Sequence, residues 1–261
     1  MQEKTGLEVQ VVFPSSYESS VERLCAGQAD MAWLATPAYL LAAERCGARS
    51  FLRVLRNDSP SYRTQWIAQS DAARVARGLE PIRSLQDLEG KVVAFTDLAS
   101  PTGYLFPRAM LAEAGVRPME EVLVGGDMQA VLAVYRGEVD AAATFWAPPG
   151  ADGRIGDARG LLLASYADVV GQVKILRLSE PIPNDPIVWR NDLEPDVRAI
   201  LGAGWIEVAR SPEGLALLRE LYGLSGVMPV GDAEYDVVRE MARVMGLSAQ
   251  DLLARLEATH K

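Results

Sequence analysis

Short apolar runs alternate with segments of helical periodicity along the chain as far as Arg190. The runs are rich in Val, Ile and aromatic residues, and several lie beside Gly, Pro, Asp or Ser, which is typical of strands. Strands are predicted at Leu7–Phe13, Met31–Leu34, Phe51–Leu55, Tyr62–Gln69, Val92–Thr96, Glu121–Val124, Val139–Thr144, Val173–Leu178 and Ile187–Arg190. Helices are predicted between them at Tyr17–Ala26, Pro37–Cys46, Thr102–Ala114 and Met128–Tyr135.

The last quarter of the chain has a different pattern. Amphipathic helices are predicted at Glu194–Ala209, Pro212–Tyr222, Ala233–Met245 and Ala249–Thr259, with Ser211 and Ser248 as N-caps. The whole pattern predicts an α/β protein with a helical C-terminal region. Mostly parallel sheets covered by helices on both faces are expected from the strand and helix alternation.

Two segments interrupt the alternation and favour crossings between domains. A polar, helix-prone stretch runs from Ser70 to Arg83, and a proline-rich stretch runs from Pro181 to Pro186. If the chain crosses at both, residues 1–70 and 187–261 form lobe I, and residues 71–186 form lobe II. A small ligand is then expected in the cleft between the lobes.

The composition narrows the classes of partner. At 261 residues, with 49% hydrophobic and 23% charged residues, the chain is typical of a folded globular protein. Apolar runs such as Met31–Leu34 are far shorter than the roughly 18 to 20 residues of a membrane span, so no span is expected. The net charge of −9 argues against a nucleic-acid partner, which needs a basic face. It does not exclude an anionic ligand, since helix N-termini bind anions without Lys or Arg.

Histidine and cysteine are scarce. The single histidine, His260, argues against His-based metal sites and against Ser–His or Cys–His catalysis. No cofactor is expected, because the chain has neither a dinucleotide fingerprint nor a P-loop. Cys25 and Cys46 both lie in predicted helices. They are either two small, partly buried residues or a disulfide, and two cysteines alone do not decide between these readings.

The segment Ser100-Pro101-Thr102-Gly103 is the strongest candidate for binding chemistry. A buried strand runs into it and a helix follows, with Ser100 as the predicted cap and Pro101 at the first helical position. The N–H groups of the first turn, the two hydroxyls and the helix dipole then converge on one point, which favours an anion. An ordinary capped helix is the alternative.

A second turn, Gly125-Gly126-Asp127, follows the next predicted strand. Its paired glycines permit close approach of a ligand to the backbone. The alternative is a tight turn in which Asp127 caps the following helix.

Aromatic side chains recur beside these loops. A Tyr hydroxyl donates to an oxyanion, and rings exclude solvent, although each ring is also compatible with a core or rim position. The set comprises Tyr17, Tyr62, Tyr104, Phe145 and Trp146. Asp185 is a further candidate, because prolines on both sides stiffen its segment. It either binds a ligand ammonium group or caps a turn.

Several segments, in this order, resemble those of one known family: Gly27–Leu34, Leu85–Lys91, Ser100–Tyr104, Leu132–Ala142 and Pro181–Arg190. Over nearly the whole chain they resemble the phosphate/phosphite/phosphonate-binding proteins of ABC importers, the PhnD-like periplasmic binding proteins. The resemblance implies a type II periplasmic-binding-protein fold, with two α/β lobes joined by a hinge of two strands.

The resemblance also implies a function. The chain would be the extracytoplasmic or periplasmic solute-binding protein of an ABC importer. It would bind a small phosphorus anion (phosphonate, phosphite or phosphate), deliver it to the transporter permease and catalyse no reaction. Carried over by position, Ser100, Thr102 and Gly103 would hold the anion's oxygens, with Tyr17 and Tyr62 approaching from lobe I. Asp185 falls where family members can meet a ligand amine.

Three departures from the family bear on the ligand. Pro101 removes an N–H donor from the anion loop. Asp127 stands where the family often has His, and its carboxylate would repel a phosphonate unless it is protonated, bridged by an amine or turned away. Phe145 and Trp146 replace polar groups of some members, which makes Trp146 a candidate ligand contact.

Two further expectations follow from the resemblance. The family motif that ends the first helix, Thr5–Val9 here, lies near residue 1. A signal peptide, the first strand and most of the first helix of lobe I are therefore expected to be missing. The same fold also serves as a ligand-sensing domain. Sensing, or binding of a different small anionic or zwitterionic ligand, is the alternative function.

Overall fold

The structure is a computed structural model that describes residues 2–150 and 153–258. The strands are β1 (Met31–Trp33), β2 (Arg49–Leu55), β3 (Ser61–Gln69), β4 (Val92–Phe95), β5 (Glu120–Leu123), β6 (Ala141–Trp146), β7 (Val173–Leu178), β8 (Ile182–Pro183), β9 (Pro186–Trp189) and β10 (Gly226–Pro229). The helices are α1 (Gln2–Thr5), α2 (Tyr17–Cys25), α3 (Thr36–Cys46), α4 (Asp71–Ala76), α5 (Phe106–Glu113), α6 (Asp127–Arg136), α7 (Val169–Gln172), α8 (Pro195–Arg210), α9 (Pro212–Tyr222), α10 (Asp236–Met245) and α11 (Ala249–Ala258).

The chain divides into two compact units. The first unit comprises the described residues of Met1–Ser61, Pro183–Arg239 and Leu247–Lys261, and the second comprises those of Tyr62–Ile182 and Glu240–Gly246. The chain leaves the first unit at the start of β3 and returns to it within β8. No described helix is long and apolar enough to cross a membrane.

The first unit is built on a sheet with the strand order β1-β9-β2-β10. Burial alternates along β2, where Leu52 and Val54 face the interior. That period of two is what a half-buried antiparallel strand requires. Val54 packs with residues of α8 and α9, including Ala209 and Leu218.

The second unit is built on a sheet with the order β5-β4-β6-β3-β7, and β8 pairs with β3. Successive residues of its central strands pack on opposite faces. Ala94 of β4 contributes to a core that includes Val131 of α6, whereas its neighbours Val93 and Phe95 contribute to another that includes Leu111 of α5. Burial on both faces explains the continuous apolar sequence of this strand.

Cys25 and Cys46 form a disulfide, with a Cα–Cα distance of 5.4 Å. The bond joins the last residue of α2 to the last residue of α3. The structure thus decides between the two readings that the sequence left open. By chain entropy, closing a ring of this size stabilises the fold by about 3 kcal/mol.

The predicted strand Leu7–Phe13 is wrong. This segment has no strand pairing among the described residues, and the exposed fractions of Val11 and Phe13 are 70% and 82%. Strand propensity is a local signal, whereas a strand forms only when neighbouring strands accept its backbone hydrogen bonds and its apolar face is covered. The strand predictions also omitted β8 and β10, a two-residue and a four-residue strand.

The prediction of mostly parallel sheets is also wrong. Strand β4 is parallel to β5 and to β6, but β3 is antiparallel to β6 and β7, and the first unit's strand pairs are antiparallel. Parallel neighbours arise where a crossover helix connects strands of one sheet, as α5 connects β4 to β5. Strands β3 and β9 instead enter their sheets near the crossings between units, which periodicity does not reveal.

Several local predictions of strands, helices and caps are confirmed. The strand Val173–Leu178 and the helix Pro212–Tyr222 have their predicted bounds. The predicted caps are confirmed, since the hydroxyls of Ser211 and Ser248 accept from the N–H groups of Gly214 and Asp251 at 3.1 Å each. Thr259, the predicted end of the last helix, and His260 lie outside the described residues.

Candidate functional site

The loop that follows β4 in the second unit ends in a capped helix. The Ser100 hydroxyl accepts from the N–H of Gly103 at 2.9 Å, as the predicted N-cap should. The first helical turn, Pro101–Leu105, has π geometry and runs directly into α5. The predicted helix start is therefore confirmed, with a wider first turn. Since π turns are frequent at functional sites, this geometry suits a ligand-binding loop.

Thr64 of β3 anchors this turn through a hydrogen bond. Its side chain is fully buried, and its hydroxyl donates to the carbonyl of Thr102. Its backbone N–H in turn donates to the Ser179 hydroxyl at 3.1 Å. Thr64 thus fixes the turn that carries the Thr102 hydroxyl.

Thr96, the residue that follows β4, is a buried polar residue beside this loop. Its side chain is 2% exposed, and its hydroxyl has no hydrogen-bond partner among the described residues. A Cβ atom added to Gly103 would lie 1.8 Å from this hydroxyl, so a side chain at position 103 would collide with it. The N–H of Thr96 also donates to the carbonyl of Gly103 at 3.1 Å. An unpaired buried hydroxyl is costly, and a ligand on this loop is one partner that would satisfy it.

The turn Gly125-Gly126-Asp127 lies beside the same strand end. The N–H of Gly125 donates to the carbonyl of Thr96 at 2.9 Å. Gly125 has a φ of 82°, a conformation that favours glycine. Asp127 is the first residue of α6, and its Oδ1 accepts from the N–H of Phe145 at 3.1 Å. The turn is therefore hydrogen-bonded to both neighbouring strand ends.

The pKa of the Asp127 carboxyl is raised. Partial burial is the main cause, and the nearby charge of Asp97 adds to it, while the N–H of Phe145 acts in the opposite direction. The environment thus disfavours a negative charge at this position.

The aromatic candidates of the second unit separate into two groups. Tyr104 packs edge-on against Phe95 with ring centroids 5.2 Å apart, which is a core contact. Phe145 and Trp146 end β6 and are both partly exposed. Tyr62 is the second residue of β3 and is also partly exposed.

In the first unit, Asp185 caps a helix. Its Oδ1 accepts from the N–H of Thr36, the first residue of α3, at 3.1 Å and from the Thr36 hydroxyl at 3.4 Å. The preceding Asn184 is anchored through its side-chain amide, which donates to the carbonyls of Val54 and Ser59 at 3.2 and 2.8 Å. Asp185 is therefore presented by a firmly held segment.

The pKa of Asp185 is raised, because burial outweighs the hydrogen bonds from Thr36 and the charge of Arg56. The pKa of Tyr17 is also raised, by burial and by the charge of Asp185. Tyr17 is the first residue of α2, whose N-cap is Ser16. Tyr17 thus begins one helix, Asp185 caps the start of another, and the charge of Asp185 acts on Tyr17.

The predicted site residues therefore form two groups, each within one unit. Ser100, Thr102 and Gly103 share the loop after β4, with Asp127 at the adjoining turn and Trp146 at the end of a neighbouring strand. Tyr62, which was expected to approach from lobe I with Tyr17, instead belongs to the second unit, as the second residue of β3. Tyr17 and Asp185 belong to the first unit. Thr64, Thr96 and Thr36 were missed. Each hydroxyl lies in or next to an apolar strand or helix, where a buried polar side chain indicates a specific hydrogen-bonding role.

Among residues 2–150 and 153–258, no group of three or more His, Cys, Asp or Glu side chains is placed to hold a metal ion. The candidate site consists of hydroxyls, backbone N–H groups, carboxylates and aromatic rings. Such an arrangement can hold a small oxyanion through hydrogen bonds.

The fold is that of the type II periplasmic binding proteins. The chain belongs to the family described as the periplasmic substrate-binding proteins of phosphonate ABC transporters, which matches residues 1–235. The phosphate-import protein PhnD of Mycolicibacterium smegmatis is 28% identical over 268 residues, covering 94% of this chain and 78% of the relative. The phosphonates-binding periplasmic protein of Escherichia coli is 24% identical over 272 residues, covering 98% and 75%.

A solved structure supports the same fold. PhnD1 from Prochlorococcus marinus, in complex with methylphosphonate, is similar with a TM-score of 0.55 at 14% identity, covering 94% of this chain and 89% of that chain. The resemblance inferred from the sequence motifs is confirmed at the level of the family and of the fold.

Proposed function

We propose that this chain is the substrate-binding protein of an ABC importer and binds a small phosphorus oxyanion on the loop Ser100–Gly103. The observation that carries the proposal is a helix N-terminus that offers neutral hydroxyls. Ser100 caps it, Thr102 lies in its first turn, and the buried hydroxyl of Thr96 behind it has no partner among the described residues. Membership of the phosphonate-transporter family supports the ligand class.

Members of this family are transport proteins rather than enzymes. We accordingly propose that the chain binds its ligand reversibly and delivers it to the permease of an ABC transporter. The Cys25–Cys46 disulfide supports an extracytoplasmic location, because disulfides persist in oxidising compartments.

Calorimetry with phosphate, phosphite, methylphosphonate and an aminoalkylphosphonate tests the proposal. At least one should bind the wild-type chain. Ser100→Ala combined with Thr102→Val should weaken that binding by at least about 100-fold, because each lost hydrogen bond to a charged ligand costs about 1.5–3 kcal/mol.

A matched control separates ligand binding from loss of a helix cap. Ser70 caps α4 in the same unit, where its hydroxyl accepts from the N–H of Ala73 at 3.3 Å. Ser70→Ala should remove a comparable cap and leave the affinity unchanged. Equal affinity of the wild type and the Ser100/Thr102 double variant would contradict the assignment of this loop.

A further inference from the structure

The side chain of Asp127 forms a hydrogen bond across the end of strand β4. In the sheet, β4 lies between β5 and β6, and α6 begins directly after the turn that follows β5. The bond from the N–H of Phe145, at the end of β6, to the Asp127 carboxylate therefore passes the end of β4, from which the anion loop departs. Asp127 thus lies beside the oxyanion position of the proposed function, on which this inference rests.

A second carboxylate, Asp97, lies two residues after the end of β4. Its Oδ1 accepts from the N–H of Ala99 at 3.0 Å, and its charge acts on Asp127. The ion pairs of the described residues involve neither carboxylate. Arg63, which lies opposite Trp146 across β3 and β6, donates to the carbonyl of Ser179 instead. The charge that acts on Asp127 from the neighbouring loop, that of Asp97, is therefore negative.

This charge pattern conflicts with a fully ionised oxyanion. An ionised carboxylate only accepts hydrogen bonds, so it repels an oxyanion that has no proton to donate. A proton on one ligand oxygen, or on Asp127, turns the same contact into a hydrogen bond. Thr96, whose buried hydroxyl has no partner among the described residues, supplies the independent sign that a polar ligand belongs on this loop.

We propose that Asp127 makes the site specific for oxyanions that bind together with one proton, namely phosphonates, phosphite and phosphate, and that it rejects sulfonates. Phosphoryl groups keep a second proton to near neutral pH, with a pKa of about 6 for phosphate monoesters. Sulfonates are strong acids and carry no proton to share. Burial raises the pKa of Asp127. It therefore favours a proton in the contact, whether the proton is on the Asp127 carboxyl or on the ligand oxygen.

The proton balance gives the measurable consequence. At a pH where both the free ligand and Asp127 are ionised, the complex gains one proton from solvent. The apparent Kd should then rise by about tenfold per pH unit. Calorimetry in two buffers of different ionisation enthalpy measures the proton uptake, and methylphosphonate and methanesulfonate are the two probes. The same titrations are made on Asp127→Asn, and on Asp97→Asn as a control that removes the neighbouring charge but keeps Asp127.

For the wild type we expect uptake of about one proton in alkaline buffer and a preference for methylphosphonate of at least about 100-fold. Asp127→Asn should take up no proton and bind methanesulfonate nearly as well, whereas Asp97→Asn should keep the proton uptake and the preference. Binding of methylphosphonate without proton uptake, or an unchanged preference in Asp127→Asn, overturns the role of Asp127 alone. A wild-type chain that binds no phosphorus oxyanion at any pH overturns the proposed function as well.

Discussion

The helix that begins at Pro101 in the second unit and helix α3 in the first unit both start shortly after a strand ends, but their first N–H groups meet different partners. At Ser100 the capping group is a neutral hydroxyl that belongs to the same turn. At Thr36 it is the carboxylate of Asp185, which comes from a segment 149 residues away.

The difference shows how one backbone device serves two purposes. A helix N-terminus attracts negative charge. Where the protein supplies that charge itself, as Asp185 does, the N-terminus is already satisfied and the free carboxylate oxygen is suited to a donor or a cation. Where a hydroxyl supplies the cap, the positive end of the helix stays available to an external anion.

The largest effect is expected when a side chain is added at Gly103, in the first turn of the helix that Ser100 caps. Gly103→Ala places a Cβ atom 1.8 Å from the Thr96 hydroxyl. We expect the free energy of unfolding to fall by about 3 kcal/mol and methylphosphonate binding to be lost. Urea unfolding and calorimetry measure the two effects.

Gly171→Ala is the control for this change, because an added Cβ atom there has nothing within 4 Å. It should be tolerated. If Gly103→Ala were as stable as Gly171→Ala, Thr96 and Gly103 would not pack as described.

The next effect concerns the first unit. The disulfide fastens the C-terminal ends of α2 and α3. Tyr17 is the first residue of α2, and Asp185, from a distant segment, accepts from the first N–H of α3. Cys25→Ser combined with Cys46→Ser should lower the free energy of unfolding by about 3 kcal/mol. Reductant should destabilise the wild type by a similar amount and leave the double variant unchanged, as urea midpoints would show. A wild type that is insensitive to complete reduction would contradict this expectation.

Much of the local structure could be predicted from the sequence, because the signals are local. Ser100, Ser211 and Ser248 each precede a helix by one residue or end the loop before it, and capping acts over three residues. The family motifs likewise led to the fold. The ligand contacts themselves stay predictions.

Contacts between distant segments could not be predicted. The Thr64 hydroxyl meets the carbonyl of Thr102 across 38 residues of sequence, and Asp185 caps α3 across 149. The prediction of mostly parallel strands failed for the same reason, since pairing depends on which segments the fold brings together rather than on periodicity. The sequence of Leu7–Phe13 suits a strand, but no neighbouring strand among the described residues pairs with it.

A smaller effect is expected where a buried carboxylate has a cation. Burial alone would raise the pKa of Asp157, but the hydrogen bonds and the charge of Arg159, with a further hydrogen bond from the Gln65 amide, outweigh it, so the pKa is lowered. A lowered pKa means that stability is present above the unfolded-state value and is lost as the pH falls through the folded-state value. Asp157→Asn should therefore cost about 2 kcal/mol at neutral pH, and the cost should shrink in acid. Urea unfolding as a function of pH measures this, and a cost that does not change with pH would contradict it.

The smallest effect, of opposite sign, is expected at Asp185. Its raised pKa means that the folded state holds the proton more tightly than the unfolded state, so stability falls as the pH rises from the unfolded-state pKa through the folded-state pKa. Asp185→Asn keeps an oxygen that accepts from Thr36 but removes the buried charge. It should therefore be slightly more stable than the wild type at neutral pH, by at most about 1 kcal/mol, and the gain should vanish in acid. Asp185→Ala, which removes the acceptor as well, should instead lose about 1 kcal/mol as a lost helix cap does. If urea unfolding showed Asp185→Asn to be as unstable as Asp185→Ala at neutral pH, the ionised carboxylate would be a net stabilising cap, and the contrast between the two helix N-termini would be one of geometry rather than of charge.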